Sequence, residues 1–238
     1  MLGILGGMSW ESTVSYYQEI NRAYHRARGR LHSAPVLVNS LDFQPIEQLQ
    51  RSDEWSAAAE ILTAGARALR AGGAEILLLA TNTMHIVYEQ LSSAAGGEWI
   101  HIADPTGAAC QTAGHRRVGL LGTRFTMERD FYRRRLEERY ALEVLTPASD
   151  DRALVDGVIF DELVRGRLLD ESRNRFRAVI AGLAAEGAEA VILGCTEIGL
   201  LLRQADSPLP LLDTTVLHAG AAVDRLLTRE GIGSPHEA

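Results

Sequence analysis

An eleven-residue segment occurs twice in this chain, and that repetition limits the folds open to it. Residues 71–81 (AGGAEILLLAT) align without gaps on residues 185–195 (AEGAEAVILGC), at an offset of 114. Five of the eleven positions are identical, and the other strand positions are apolar in both copies. Residues 3–6 (GILG) return as residues 119–122 (GLLG), and Asp104-Pro105-Thr106 is echoed by Asp213-Thr214-Thr215. Shared βα physics explains one such match. Three anchors in the same order at nearly the same offset point to a duplication.

Each anchor belongs to a pattern that fixes the fold class. Short continuous apolar runs lie at residues 3–6, 36–38, 76–79, 118–121, 190–193 and 209–212, with a weaker one at 100–102. Amphipathic stretches separate them, and helices are expected at 12–28, 55–71, 126–140, 172–186 and 215–227. Strands that are apolar throughout, alternating with helices, form a parallel sheet covered on both faces. The expected class is α/β, with two similar doubly wound domains related by a pseudo-two-fold duplication. The first domain is placed at residues 1–103 with 213–238, and the second at 104–212. A length of 238 residues suits one large domain or two small ones.

Composition narrows the function. The chain carries 24 Lys and Arg against 31 Asp and Glu, a net charge of -7. An acidic chain without a basic patch is a poor partner for nucleic acid or an anionic membrane. Arg133, Arg134 and Arg135 lie beside Glu137 and Glu138 and read as a mixed helix face. The apolar runs are too short to span a bilayer, and the first seven residues lack the basic start and long apolar stretch of a secretory signal. Two cysteines, Cys110 and Cys195, cannot build a disulfide framework, so a cytoplasmic setting is expected. Two are also too few for a structural zinc site. The seven histidines are scattered with no metal-binding spacing, so no metal is expected.

In open α/β sheets, ligands sit beyond the carboxyl ends of the strands. Two similar halves are expected to turn equivalent strand ends toward one crevice between them. Those ends carry Gly7-Met8-Ser9, Thr81-Asn82-Thr83, Gly122-Thr123-Arg124 and Cys195-Thr196-Glu197. Cys195 follows a buried strand and precedes an expected helix start, where a helix dipole would favour its thiolate. A buried, inert cysteine is the plain alternative; this reading fits Cys110, inside an expected helix. Thr81, Asn82 and Thr83 occupy the matching place in the first half. They suit a bound carboxylate or phosphate, the capping of the next helix, or both. The glycine turn at residues 6–9 follows neither phosphate-binding pattern, and Ser9 or Ser12 is the expected cap. His85 reads as a cap or surface histidine, with a catalytic role as the lesser alternative. Equivalent groups facing one carbon from two sides would suit inversion of a stereocentre, which needs a base on one face and an acid on the other.

The segments GILGGMSWEST at residues 3–13, TNTMH at 81–85, GTRFTM at 122–127 and GCTEI at 194–198 resemble the aspartate/glutamate racemase family. These are cofactor-independent amino-acid racemases, and the likeness is greatest to their bacterial L-aspartate/glutamate-type branch. The resemblance covers nearly the whole chain. It implies two α/β domains with the active site between them, no pyridoxal phosphate or metal, a small amino-acid substrate and a homodimer. Members of the family use two cysteines as opposed acid and base. Here only Cys195 matches, and Thr81 stands where many relatives have cysteine. The resemblance implies that Cys195 works on the L enantiomer and that Thr81 relays a proton to the other face. It also marks Met8, Gln50 and the segment Thr81, Asn82, Thr83 as substrate contacts. Thr123, Thr196 and Glu197 complete the candidate binding set. Isomerisation of maleate, racemisation of a hydantoin, or amino-acid binding with reduced catalysis are the other readings open at this point.

Overall fold

The computed structural model describes residues 1–232, so residues 233–238, placed above in the first domain, lie outside it. The elements run β1 (Leu2–Gly6), α1 (Trp10–Arg28), β2 (Val36–Ser40), α2 (Phe43–Arg51), α3 (Trp55–Ala71), β3 (Ile76–Leu79), α4 (Tyr88–Ala95) and β4 (Glu98–Ile100). They continue with α5 (Ala103–Thr112), β5 (Arg117–Gly122), α6 (Arg124–Glu128), α7 (Asp130–Tyr140), β6 (Glu143–Leu145) and α8 (Ser149–Asp161). The described residues close with α9 (Asp170–Ala185), β7 (Ala190–Gly194), α10 (Ile198–Leu201), β8 (Leu211–Asp213) and α11 (Thr214–Arg229). Two compact units result among the described residues, one from Met1–Ile102 plus the segment from His218 to residue 232, the other from Ala103–Leu217.

The first unit holds a four-stranded sheet in the order β2-β1-β3-β4. All its pairings are parallel, with Leu2 opposite both Val36 and Ile76, and Ile76 opposite Glu98. Strand side chains alternate between faces, and the core divides accordingly. Leu2, Ile4, Ile76 and Leu78 pack with Tyr16 and Ile20 of α1 and Ala222, Val223 and Leu226 of α11. Leu5, Leu77 and Leu79 pack on the other face with Leu62, Ala66 and Leu69 of α3, Ile46 of α2 and Leu91 of α4. This two-sided burial explains why the strands read as unbroken apolar runs.

The second unit repeats the wiring as β6-β5-β7-β8. Its pairings are again parallel, with Val118 opposite Ala190 and Val191 opposite Leu211. One face packs Val191 and Leu193 against Val155, Val158 and Ile159 of α8 and Phe176, Val179 and Ile180 of α9. The equivalence runs strand for strand, and the repeated segments end on β3 and β7. The Asp104 and Asp213 echoes open α5 and α11, the helices that follow the fourth strand of each sheet.

Several elements depart from the sequence reading. The expected helix over 126–140 is broken at Arg129, whose extended backbone (φ -91°, ψ 149°) separates α6 from α7. The weak run at 100–102 is not the strand; β4 lies two residues earlier, and His101 and Ile102 are buried after it. β8 begins at Leu211, after Pro210, which has no N–H for a ladder. Helices α2, α4 and α8 and strand β6 lie outside the expected elements; α2 is amphipathic but only nine residues long, whereas α8 has little apolar periodicity.

Candidate active site

In the first unit, β1 runs into a turn that only glycine allows. Gly7 has φ +93°, and a Cβ there would stand 2.1 Å from the Leu41 carbonyl oxygen. The Gly7 N–H donates to Thr13 Oγ1 at 2.8 Å, and Thr13 Oγ1 donates to the Ser9 carbonyl at 2.9 Å. Ser9 caps α1, its hydroxyl accepting from the Ser12 N–H at 3.3 Å. The cap is therefore Ser9, and Ser12 instead bonds back to the Ser9 carbonyl. This turn buries Met8, which packs in the same apolar cluster as Met84. Gln50, near the end of α2, is buried too, and its amide lies 3.0 Å from the Met84 sulfur. Met8, Gln50 and the segment leading to Met84 thus share one part of the unit.

That segment follows β3 directly. The Ala80 N–H still donates to the Leu5 carbonyl at 2.9 Å, so Thr81 stands at the carboxyl end of an inner strand. Thr81, Asn82 and Thr83 are all buried, Thr81 only 6% exposed. A 3-10 turn covers Thr83–Val87, and Asn82 before it makes no side-chain cap. His85 is neither a cap nor a surface group. It is 3% exposed, with Nδ1 2.7 Å from the Thr81 carbonyl and Nε2 3.1 Å from the Ile102 N–H.

In the second unit, Gly122 and Gly194 are register partners at the ends of β5 and β7. A Cβ on Gly122 would lie 2.7 Å from the Gly194 oxygen, so small residues let these strand ends meet closely. Thr123 and Cys195 follow them. Thr123 caps α6, its hydroxyl accepting from the Thr126 N–H at 3.3 Å. Cys195 is 7% exposed, and its thiol donates to Glu197 Oε2 at 2.9 Å. The Thr196 hydroxyl donates to the same oxygen, also at 2.9 Å. Thr123, Cys195, Thr196 and Glu197 are all buried.

The electrostatics at Cys195 run against the expectation drawn from a helix dipole. The helix after it, α10, has four residues and is too short to carry much of a dipole. Burial raises the thiol well above its ordinary value; the nearby negative charge of Glu197 and its hydrogen bond push further the same way, and Asp156 adds to the rise. The resting group is a neutral thiol with a carboxylate at hydrogen-bond distance, a pair able to exchange one proton. Asp156 stands on α8, a helix the sequence did not announce, so no local pattern could have pointed to it. Its carboxylate also accepts from the Arg124 N–H at 2.7 Å.

The other thiol, Cys110, is fully buried in α5, and burial raises it to about 11. Among the described residues, no three His, Cys, Asp or Glu side chains are grouped to hold a metal ion. No described helix is long and apolar enough to cross a membrane.

Two α/β units of the same strand order, with Thr81 after the third strand of one and Cys195 after the third strand of the other, define the class of fold. The model of the Asp/Glu/Hydantoin racemase family matches residues 5–222, and the chain belongs to that family. It is an amino-acid racemase with a small-molecule substrate. The fold is shared with a proposed Asp/Glu racemase from Yersinia pestis at 46% identity, with a TM-score of 0.87 and coverage of 95% of this chain and 98% of that one. It is also similar to an aspartate racemase homologue from Pyrococcus horikoshii OT3 at 31% identity, with a TM-score of 0.79 and coverage of 94% and 97%. A Picrophilus torridus aspartate racemase at 19% identity and TM-score 0.77, covering 99% of this chain and 96% of that one, shares the fold.

Proposed function

We propose that this chain racemises aspartate or glutamate, with Cys195 and Thr81 serving opposite faces of the substrate Cα. One observation carries the reading. Thr81 and Cys195 occupy the aligned position after the third strand of two units with the same strand order. The acidic substrate rests on the family and on what the Yersinia and Pyrococcus relatives are described as.

In this reading Glu197 takes the thiol proton, and the thiolate removes the Cα proton of the L enantiomer. The Thr81 hydroxyl delivers a proton to the opposite face and recovers one from a water molecule. The proton held by Glu197 neutralises the hydroxide left behind, which restores the starting state. Met8, Gln50, Asn82, Thr83, Thr123 and Thr196 belong to the same reading as substrate contacts. So do a homodimer and a cytoplasmic location.

The test is deuterium wash-in at Cα in D2O without added cofactor, across a panel of L and D amino acids and a hydantoin. Wash-in confined to aspartate and glutamate, and lost in Cys195→Ala, supports the reading. General acid–base catalysis contributes about 10²–10⁴ in rate, so a Cys195→Ala variant keeping more than roughly a tenth of wild-type turnover would overturn it.

A further inference from the structure

The first unit contains three buried histidines that none of the chemistry above uses: His85, His101 and His218. The bonds of His85 define its protonation. A carbonyl oxygen only accepts, and a backbone N–H only donates. His85 Nδ1 lies against the Thr81 carbonyl, so it carries the proton; Nε2 accepts from the Ile102 N–H, so it does not. His218 carries a proton on Nε2, which lies 2.8 Å from the Ile100 carbonyl, and its Nδ1 lies 2.8 Å from the Tyr16 hydroxyl.

The His85 ring is also held in orientation. Tyr88 stacks on it at 5.5 Å and 9°, and the edges of His101 and His218 meet it at 4.5 and 6.2 Å. A fixed ring therefore joins the backbone of Thr81 to that of Ile102, the last residue of the first unit before the chain leaves it.

The repeat aligns His85 with Gly199, which has no side chain, and the Cys195 carbonyl accepts from the Ile198 N–H at 3.1 Å instead. The partner of Cys195 is a carboxylate on its reacting atom, and the partner of Thr81 is an imidazole on its backbone. The difference follows the chemistry. A thiol can be tuned through its ionisation. A threonine hydroxyl barely ionises near neutral pH, so its contribution depends on where it is held.

We infer that His85 is a positioning residue for Thr81, acting as a neutral Nδ1–H clamp on the Thr81 carbonyl. This rests on the reading of Thr81 as the second acid–base group. The experiment measures Cα deuterium wash-in separately from D and L substrate, with melting temperature, for wild type, Thr81→Ala, His85→Asn and His85→Gln. An Asn amide can stand where Nδ1–H stood, whereas Gln reaches only the Nε2 position. His85→Gln is expected to slow wash-in from the D enantiomer by about 10–100-fold through misplacement, with kcat falling more than KM rises. Wash-in from the L enantiomer stays near wild type, and His85→Asn restores most of the lost rate.

Equal losses from both enantiomers in His85→Gln, or an Asn variant no better than Gln, would overturn the inference while leaving the reading of Thr81 intact. If Thr81→Ala itself leaves both rates unchanged, the reading fails first, and that outcome is separately visible. A measurement on the wild type needs no variant to fold: 15N spectra of the histidine rings at pH 7 should show His85 neutral and protonated on Nδ1. A cationic His85, or one protonated on Nε2, would also overturn the inference.

Discussion

The thiol of Cys195 and the carboxylate of Glu197 share a buried 2.9 Å hydrogen bond, and that bond faces a chemical conflict. The carboxylate holds the thiol proton in place, yet it is also the base nearest to it. Glu197→Gln removes the charge and leaves an amide of the same size. The thiol should then ionise at lower pH, because one source of its elevation, the Glu197 charge, is gone. Turnover should still fall, by about 10²-fold or more, because the proton acceptor is lost. The check is the pH dependence of Cys195 alkylation in a Cys110→Ala background, beside the rate of racemisation. A thiol that alkylates no more readily at lower pH than in the parent would contradict this account of its environment.

Thr81→Cys puts a thiol at the position aligned with Cys195. The two side chains are nearly isosteric, so the fold should persist. A thiol titrates at about 8.5 and a threonine hydroxyl hardly at all, so the variant should speed Cα exchange of the D enantiomer. The wild type should exchange the two enantiomers at unequal rates, although the equilibrium constant for free enantiomers stays at unity. Equal wild-type wash-in from D and L substrate, unchanged in Thr81→Cys, would show that position 81 does not serve the second face.

Cys110 makes stability depend on alkaline pH. Burial in α5 raises its thiol from 9.0 to about 11, so the folded chain keeps a proton that the unfolded chain releases earlier. The stability tied to that proton is fully present below pH 9 and is lost as pH rises toward 11. Urea midpoints measured from pH 8 to 11 should fall for the wild type and fall less steeply for Cys110→Ala. Parallel curves for the two proteins would count against it. The same substitution should leave racemisation at pH 7 nearly unchanged.

Arg135 of α7 grips Asp104 of α5 with two bonds of 2.7 Å, from Nε to Oδ1 and from a terminal nitrogen to Oδ2. The arginine side chain is 14% exposed, so water screens this pair less than an ordinary surface pair. Arg135→Ala should lower stability by about 1–3 kcal/mol. Arg135→Lys should recover less than half of that, since an ammonium cannot match the planar fork. Chemical denaturation of the two variants checks the order, and a lysine variant as stable as the wild type would refute the importance of the two-pronged geometry.

The local sequence alone carried the class of fold. Strands buried on both faces must be apolar at every position, so 76–79 and 190–193 could be read directly, and the repeat around them announced two units of one kind. It also placed Thr81 and Cys195, because a strand end is fixed by where an apolar run stops. Other features depended on residues far apart in the chain. The raised Cys195 thiol combines burial with Glu197 beside it and Asp156 on α8, and burial exists only once the strand is packed. Helix α8 itself has no clear apolar period, because its place is decided by the core it joins. His85 looked like a surface cap while its neighbours were unknown. Only folding brings Ile102, His101 and His218 around it and turns an ordinary polar residue into a fixed, neutral ring.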